Sequence, residues 1–300
     1  MSERWREKYT QKGPVNLTIR SAQGTDESEI IIYTDVRFTQ SLPPLTKWGI
    51  DATFKVCPKK PKMRQFLTIM ALVDDVLPFA WAIMTKKSTA AYRALFNELI
   101  DIYNNALQPN EILMDFEAAL RAACLEFFPN VVITHCHFHH SQAVVEKLGS
   151  AKGKKRVNDC LKAWPRGRLF FRKLLSLILL PAHLISDAFY HLVDSADEDI
   201  IIYFRNILTY YERQWLQRVT PPVYSLYNVR HRTNNPLESY HHLLRAFWIG
   251  YQRNIWLNNN LIDWNELLLG QVGLLANKYW EWVNLPVKRS IRLFKSDVLK

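Results

Sequence analysis

Cysteine is scarce in this 300-residue chain, with four residues at Cys57, Cys124, Cys136 and Cys160. Four scattered thiols are too few for a disulfide framework and fit a reducing compartment. The first 45 residues contain neither Cys nor His. That excludes a zinc finger there, because zinc is held by those side chains. Long apolar runs are lacking as well. The most apolar stretch, Leu174 to Leu180, is bounded by Arg172, Lys173 and Pro181, far short of the ~20 residues a membrane span needs. Met1 to Arg20 is polar and charged throughout, without the apolar segment of a secretory signal. A soluble intracellular protein with no membrane partner is expected. Internal repeats and low-complexity segments are also missing, which excludes a repeat architecture.

What is present is ordinary globular composition, 48% hydrophobic and 22% charged, with a strong excess of positive charge. The net charge of +11 and pI near 9.4 favour a polyanionic partner, most simply nucleic acid. The charge is concentrated. Between Cys136 and Leu175 ten Lys or Arg face only Glu146 and Asp159, a net +8 in that stretch. A solvated helix face accounts for such a run; a surface that tracks phosphates accounts for it too. Lys152, Lys154, Lys155, Arg156, Arg166 and Arg168 are the candidate phosphate contacts.

The order of elements is readable. Residues 1–45 look like an irregular lead-in ending at Ser41-Leu42-Pro43-Pro44. From Thr46, Trp48, Ile50, Ala52, Phe54 and Val56 alternate with Gly49, Asp51, Thr53 and Lys55, a period-two strand signal that sets Asp51 opposite the large apolar residues. Gln65 to Val73 is apolar on both faces and reads as a central strand. Asp74-Asp75 turns it into a third strand, Leu77 to Met84. Ala90 to Leu107 has helical spacing and is broken by Pro109-Asn110. A short strand at Glu111 to Met114, a helix, a short strand at Val131 to Thr134 and a helix to Gly149 follow. After Ser150 only helices are expected, interrupted at Pro165, Pro181 and Ser195 to Asp199. Pro221-Pro222 opens a loop, and a further helix begins near Pro236. The order β-β-β-α-β-α-β-α implies an α/β, ribonuclease-H-like mixed sheet interrupted by an all-helical insertion. The expected divisions are 1–45 lead-in, 46–150 first part of the core, 151–225 basic helical insertion, 226–255 core helix and 256–300 helical tail.

Three carboxylates stand out. Asp is disfavoured within strands and seldom buried unpaired, so Asp51 needs a reason. Asp115 ends the fourth expected strand, where it reads as a metal ligand, as the N-cap of the following helix, or as both. In Asn235-Pro236-Leu237-Glu238, Glu238 fits the third position of a capping box as well as a ligand. Converging carboxylates are what two-metal phosphoryl transfer requires, because hard Mg2+ and Mn2+ ions prefer charged oxygens.

Four blocks in order carry a resemblance. Ile50-Asp51-Ala52-Thr53-Phe54-Lys55, Asp115-Phe116-Glu117-Ala118-Ala119, Cys136-His137-Phe138-His139 with Gln142, and Asn234 to His241 together resemble the Mutator-like element (MULE) transposases, a branch of the DDE superfamily. The resemblance spans about Lys47 to Trp248. It implies that Asp51, Asp115 and Glu238 are catalytic and hold two Mg2+ (or Mn2+) ions. It also implies that the 123 positions from Asp115 to Glu238 contain a helical insertion. One departure is visible: the family usually has Gly where Ala52 stands.

The Cys136 and His139 spacing fits three readings: half of a zinc site lacking a second pair, the end of a strand entering a helix, or, as the resemblance implies, a group shaping the active centre or touching DNA. The function implied is a transposase core that cleaves and joins double-stranded DNA in the nucleus, with no small-molecule substrate. A non-catalytic DNA-binding or regulatory protein derived from such an enzyme is the alternative, and a nuclease acting on RNA–DNA hybrids is a third class. The missing zinc finger implies a truncated copy or recognition supplied from elsewhere. The Trp-rich tail reads as helices packing on the core or, alternatively, as a homodimer surface.

Overall fold

The computed structural model describes residues 17–41, 44–54, 57, 62–72, 76–152, 154–229, 232–233, 237–238 and 240–242. It divides into two units: Met1–Asn110 with Ala118–Val131 and Pro236–Lys300, and Glu111–Glu117 with Val132–Asn235. The tail expected from residue 256 lies outside the described residues.

The first unit contains β1 (Leu17–Gln23), β2 (Glu29–Asp35), a short α1 (Val36–Ser41), β3 (Lys47–Thr53), β4 (Gln65–Leu72) and β5 (Val76–Met84), then α2 (Thr89–Ile102) and, later in the chain, α3 (Ala118–Phe127). Its strands lie in the order β1-β2-β5-β4-β3, and every adjacent pair is antiparallel. The meander β3-β4-β5 follows from the sequence: β4 is mostly apolar, with Gln65 and Thr68 its polar side chains, and is buried on both faces. Pro78 is tolerated in β5 because the β4–β5 register shifts between Ile69 and Met70, beside it. On one face of β3, Trp48 packs edge-on against Phe79 at 5.4 Å and against Phe128 at 5.2 Å. Phe128 in turn meets Phe96 of α2 at 5.7 Å.

Residues 17–41 correct the expectation of an irregular lead-in. β1 and β2 form a hairpin, and β2 extends the meander by pairing with β5. The hairpin turn is stabilised locally. Asp26 accepts from the backbone of Ser28 and, at 2.6 Å, from the hydroxyl of Ser88, which also caps α2 by accepting from Ala91 N–H. Hydrogen bonding by Ser28, chiefly its side chain, and by Ser88 lowers the Asp26 pKa to about 2.

The second unit contains β6 (Glu111–Met114) and β7 (Val132–His135), a parallel pair. α4 (His137–Lys152), α5 (Lys154–Ala163), α6 (Pro165–Ser176), a 3-10 turn at Leu177–Leu179, α7 (Ala182–Asp194) and α8 (Glu198–Tyr211) follow. α8 runs straight into a π-helix, Glu212–Val219, and a single turn α9 (Pro221–Tyr224) replaces the loop expected at Pro221-Pro222. Every regular element described from 154 to 229 is helical. Proline sets the breaks: Pro165 occupies the first turn of α6, where its missing N–H costs nothing. The helices enclose a core of their own, in which Phe170, Phe171, Leu174, Phe189, Phe204 and Trp215 are buried together. Among the described residues the fold is mixed α/β, with seven strands that pair mostly antiparallel.

Candidate active site

In the first unit the register places three residues in one row across the sheet: Asp51 of β3 opposite Thr68 of β4, and Thr68 opposite Trp81 of β5. Directly paired residues share a face, so this row lies opposite the Trp48 side. The sequence pattern makes this the polar face, yet Asp51 is only 7% exposed. Helical residues 237–238 and 240–242 account for the burial. His241 Nδ1 lies 3.1 Å from Asp51 Oδ2, and its Nε2 lies 2.9 Å from Thr68 Oγ1. Tyr240 accepts a hydrogen bond from Trp81 Nε1 at 2.9 Å. Leu237 is fully buried and sits so close to Gly49 that a Cβ there would meet its Cδ1 at 2.7 Å. Glu238 rides on this segment, half-buried. Asp51 and Glu238 thus belong to one unit, with the segment bearing Glu238 fastened to the strand bearing Asp51. The Asn235-Pro236 start of the expected capping box lies outside the described residues.

The second unit holds Asp115, Cys136 and His139. Asp115 follows β6 and accepts from Glu117 N–H at 3.2 Å, an Asx-type turn that gives the residue a local structural task. Its backbone carbonyl accepts from His135 Nδ1 at 2.9 Å. The His135 ring stacks on Phe116 at 4.5 Å, and Phe116 meets Trp215 edge-on at 4.8 Å. Cys136 is fully buried; its N–H bonds the Met114 carbonyl at 3.1 Å. His139 is half-buried on α4. The pattern gave His140 no role, and it proves to be a core residue. It is 0% exposed, stacked at 5.8 Å on Tyr224 and edge-on to Trp215 at 4.5 Å. Burial, with His137 nearby, pushes its pKa down to about 3.

Of the expected phosphate contacts, Arg166 is engaged by Asp197 at 2.6 Å and Asp199 at 3.5 Å. Arg168 is exposed on α6. Lys152, Lys154, Lys155 and Arg156 belong to α4 and α5, and their side chains lie outside the described residues. All four cysteines are free, and burial raises the thiols of Cys57 and Cys124 to about 12, which suppresses the reactive thiolate. Among the described residues no helix is long and apolar enough to cross a membrane.

The decisive comparison concerns the segment from β3 into α4. Residues 47–143 match the family described as MULE transposase domain. Over that segment the chain is similar to a MULE transposase domain. That is a transposase-type enzyme family, with DNA as the partner it implies and a divalent metal as the ion it suggests. The match includes Asp51, Asp115, Cys136 and His139 and ends before Glu238. A second likeness is short. Fatty acid 2-hydroxylases of Rattus norvegicus, Mus musculus and Homo sapiens are each 54% identical over 43 residues, which is 14% of this chain and 12% of each hydroxylase. The chain therefore spans about an eighth of the length of these relatives.

His241 is the site residue that sequence reading passed over. It stood inside the Asn234 to His241 block without a role. Its signal was its spacing, three residues after a candidate ligand, which on a helix brings two side chains to neighbouring positions.

Proposed function

We propose that this protein is the catalytic core of a Mutator-like transposase. Asp51, Asp115 and Glu238 hold two Mg2+ or Mn2+ ions and direct cleavage and joining of double-stranded DNA. The observation that carries this reading is the attachment of the Glu238 segment to β3 through His241 and Asp51. A nearly buried carboxylate in mid-strand is costly without partners, and here it is held in one orientation by a histidine that is itself held by Thr68. Ligating carboxylates are oriented in this way by outer hydrogen bonds.

The donor set fits the ions. Three carboxylates supply hard oxygens suited to Mg2+ or Mn2+ and offer nothing to a soft metal. Divalent ions held there would supply activation of the attacking oxygen and stabilisation of the leaving one. The chain's own contribution is position: β3 fixes Asp51, the Asx-type turn after β6 fixes Asp115, and the helical segment fixes Glu238. The ribonuclease-H-like fold is supported by the element order, a β3-β4-β5 meander followed by α2-β6-α3-β7-α4. In a eukaryotic cell, a protein with this activity on chromosomal DNA would work in the nucleus. Hydroxylase activity is not carried over, because 43 shared residues are about the size below which a chain seldom builds a core of its own.

The test compares wild-type protein with Asp51→Asn and Asp115→Asn. Wild type should nick DNA only with Mg2+ or Mn2+ and bind Mn2+ in calorimetry, and both variants should lose nicking while keeping the thermal melt of the parent. Equal nicking by all three proteins sinks the assignment. Metal-independent DNA binding by wild type, with no nicking, identifies a non-cutting derivative instead.

A further inference from the structure

We infer that an open groove formed by α4, α8 and the π-helix is the seat of a DNA phosphodiester backbone. The inference rests on DNA being the partner and names the surface that holds it. A cavity of about 600 Å³ in the second unit is lined by Lys147 of α4, Arg205 and Tyr210 of α8, and Arg213 and Arg218 of the π-helix. The other lining side chains are two amides and a hydroxyl, and none is acidic. Arg205, Arg213 and Arg218 are exposed. Among the described residues none of the three forms an ion pair. This distinguishes them from Arg166, whose charge is met by Asp197 and Asp199.

The backbone aligns these charges. Arg205, Thr209 and Arg213 are four residues apart, the spacing that stacks side chains along one face of an α-helix. Arg218 is five beyond Arg213, which on an α-helix at 100° per residue would place it about 140° away. The wider turn of Glu212–Val219, bonded i to i+5, returns Arg218 to the same face. π-turns are rare and concentrate at functional sites, and here the π-turn completes a row of cations. Glu212, the acidic residue closest in sequence to the row, is turned aside and accepts from Tyr190 OH at 2.9 Å. Lys147 closes the opposite wall, its ammonium 5.5 Å over the Tyr210 ring. The three arginines around neutral hydrogen-bonding groups repel one another until a polyanion enters, and a groove built from exposed side chains suits a continuous strand.

Full-length protein and a labelled DNA duplex, followed by fluorescence anisotropy as salt is raised, provide the test. Replacing all three groove arginines (R205Q, R213Q, R218Q) should weaken binding about tenfold or more and flatten the slope of log affinity against log salt by about 2.7. The triple lysine variant (R205K, R213K, R218K) should keep most of the affinity, because a phosphate accepts a point charge. Removing the same charge from α5 and α6 (K162Q, R172Q, K173Q) should change affinity by no more than about threefold. Equal losses from the two glutamine triples, or no loss from the groove triple, overturn the groove and leave DNA as the partner. Failure of wild type to bind any duplex overturns both.

Discussion

His241 Nδ1 stands 3.1 Å from Asp51 Oδ2, joining residues 190 positions apart in the chain, both almost wholly buried. Whatever Asp51 binds, it does so in an orientation chosen by the segment that also carries Glu238. His241→Ala should therefore weaken Mn2+ binding about 10- to 100-fold, the usual cost of losing an outer partner of a metal ligand. Thr68→Val, one bond further out, should cost less. Calorimetric titration of the two variants checks the order, and equal losses would contradict it.

Gly49 leaves the space that Leu237 fills. Gly49→Ala puts a methyl 2.7 Å from Leu237 Cδ1 with Leu72 Cδ2 at 3.3 Å behind it. The leucine tip can yield only in part. A destabilisation of about 1–3 kcal/mol is expected from overpacking, read as a lower midpoint in urea, and Gly49→Val should cost more.

Trp48 packs edge-on against Phe79 of β5 and against Phe128, just past α3, which in turn meets Phe96 of α2. Trp48→Ala should cost about 3–5 kcal/mol. Arg166→Ala breaks an exposed pair and should cost under about 1 kcal/mol. Urea unfolding of both variants tests the contrast, and an Arg166 effect as large as that of Trp48 would be incompatible with its exposure.

His140 makes stability depend on pH. Its ordinary pKa is 6.5 and its folded value is about 3. Between these values the unfolded chain takes up a proton that the folded chain refuses. Stability is therefore fully present above 6.5 and falls as pH drops, by up to about 1.4 kcal/mol per pH unit, levelling off near 3. Urea midpoints measured across that window should show a shallower fall in His140→Phe than in wild type.

The sequence made some of this plain and concealed the rest for identifiable reasons. β6 was legible at Glu111–Met114 because an apolar run sits between Pro109-Asn110 and Asp115. α2 was expected to reach Leu107 but stops at Ile102, where Asn104 and Asn105 adopt φ of 50° and 61°. Asn tolerates that left-handed geometry, so the helix ends before the proline. The β1–β2 hairpin was hidden because its turn lacks an Asn-Gly or Asp-Gly pair; the positive φ of 62° falls on Glu27 instead. Asp51 and Asp115 were legible as residues, whereas the burial of Asp51 was not, since its cover arrives from residues 237–241. The sequence-expected phosphate contacts did not include Arg205, Arg213 or Arg218, because a charge row with one five-residue step has no single helical period.

That five-residue step has a consequence for how the protein can change. A π-helix of Glu212–Val219 spends more chain per turn than its α-helical neighbour. Deleting one residue there, for instance Gln217, offers the backbone a tighter and better bonded α-helix, in which Arg218 stands four residues after Arg213 and keeps to the same face. Stability and charge alignment then pull the same way, and a shortened chain would be a sturdier fold that keeps its row of cations.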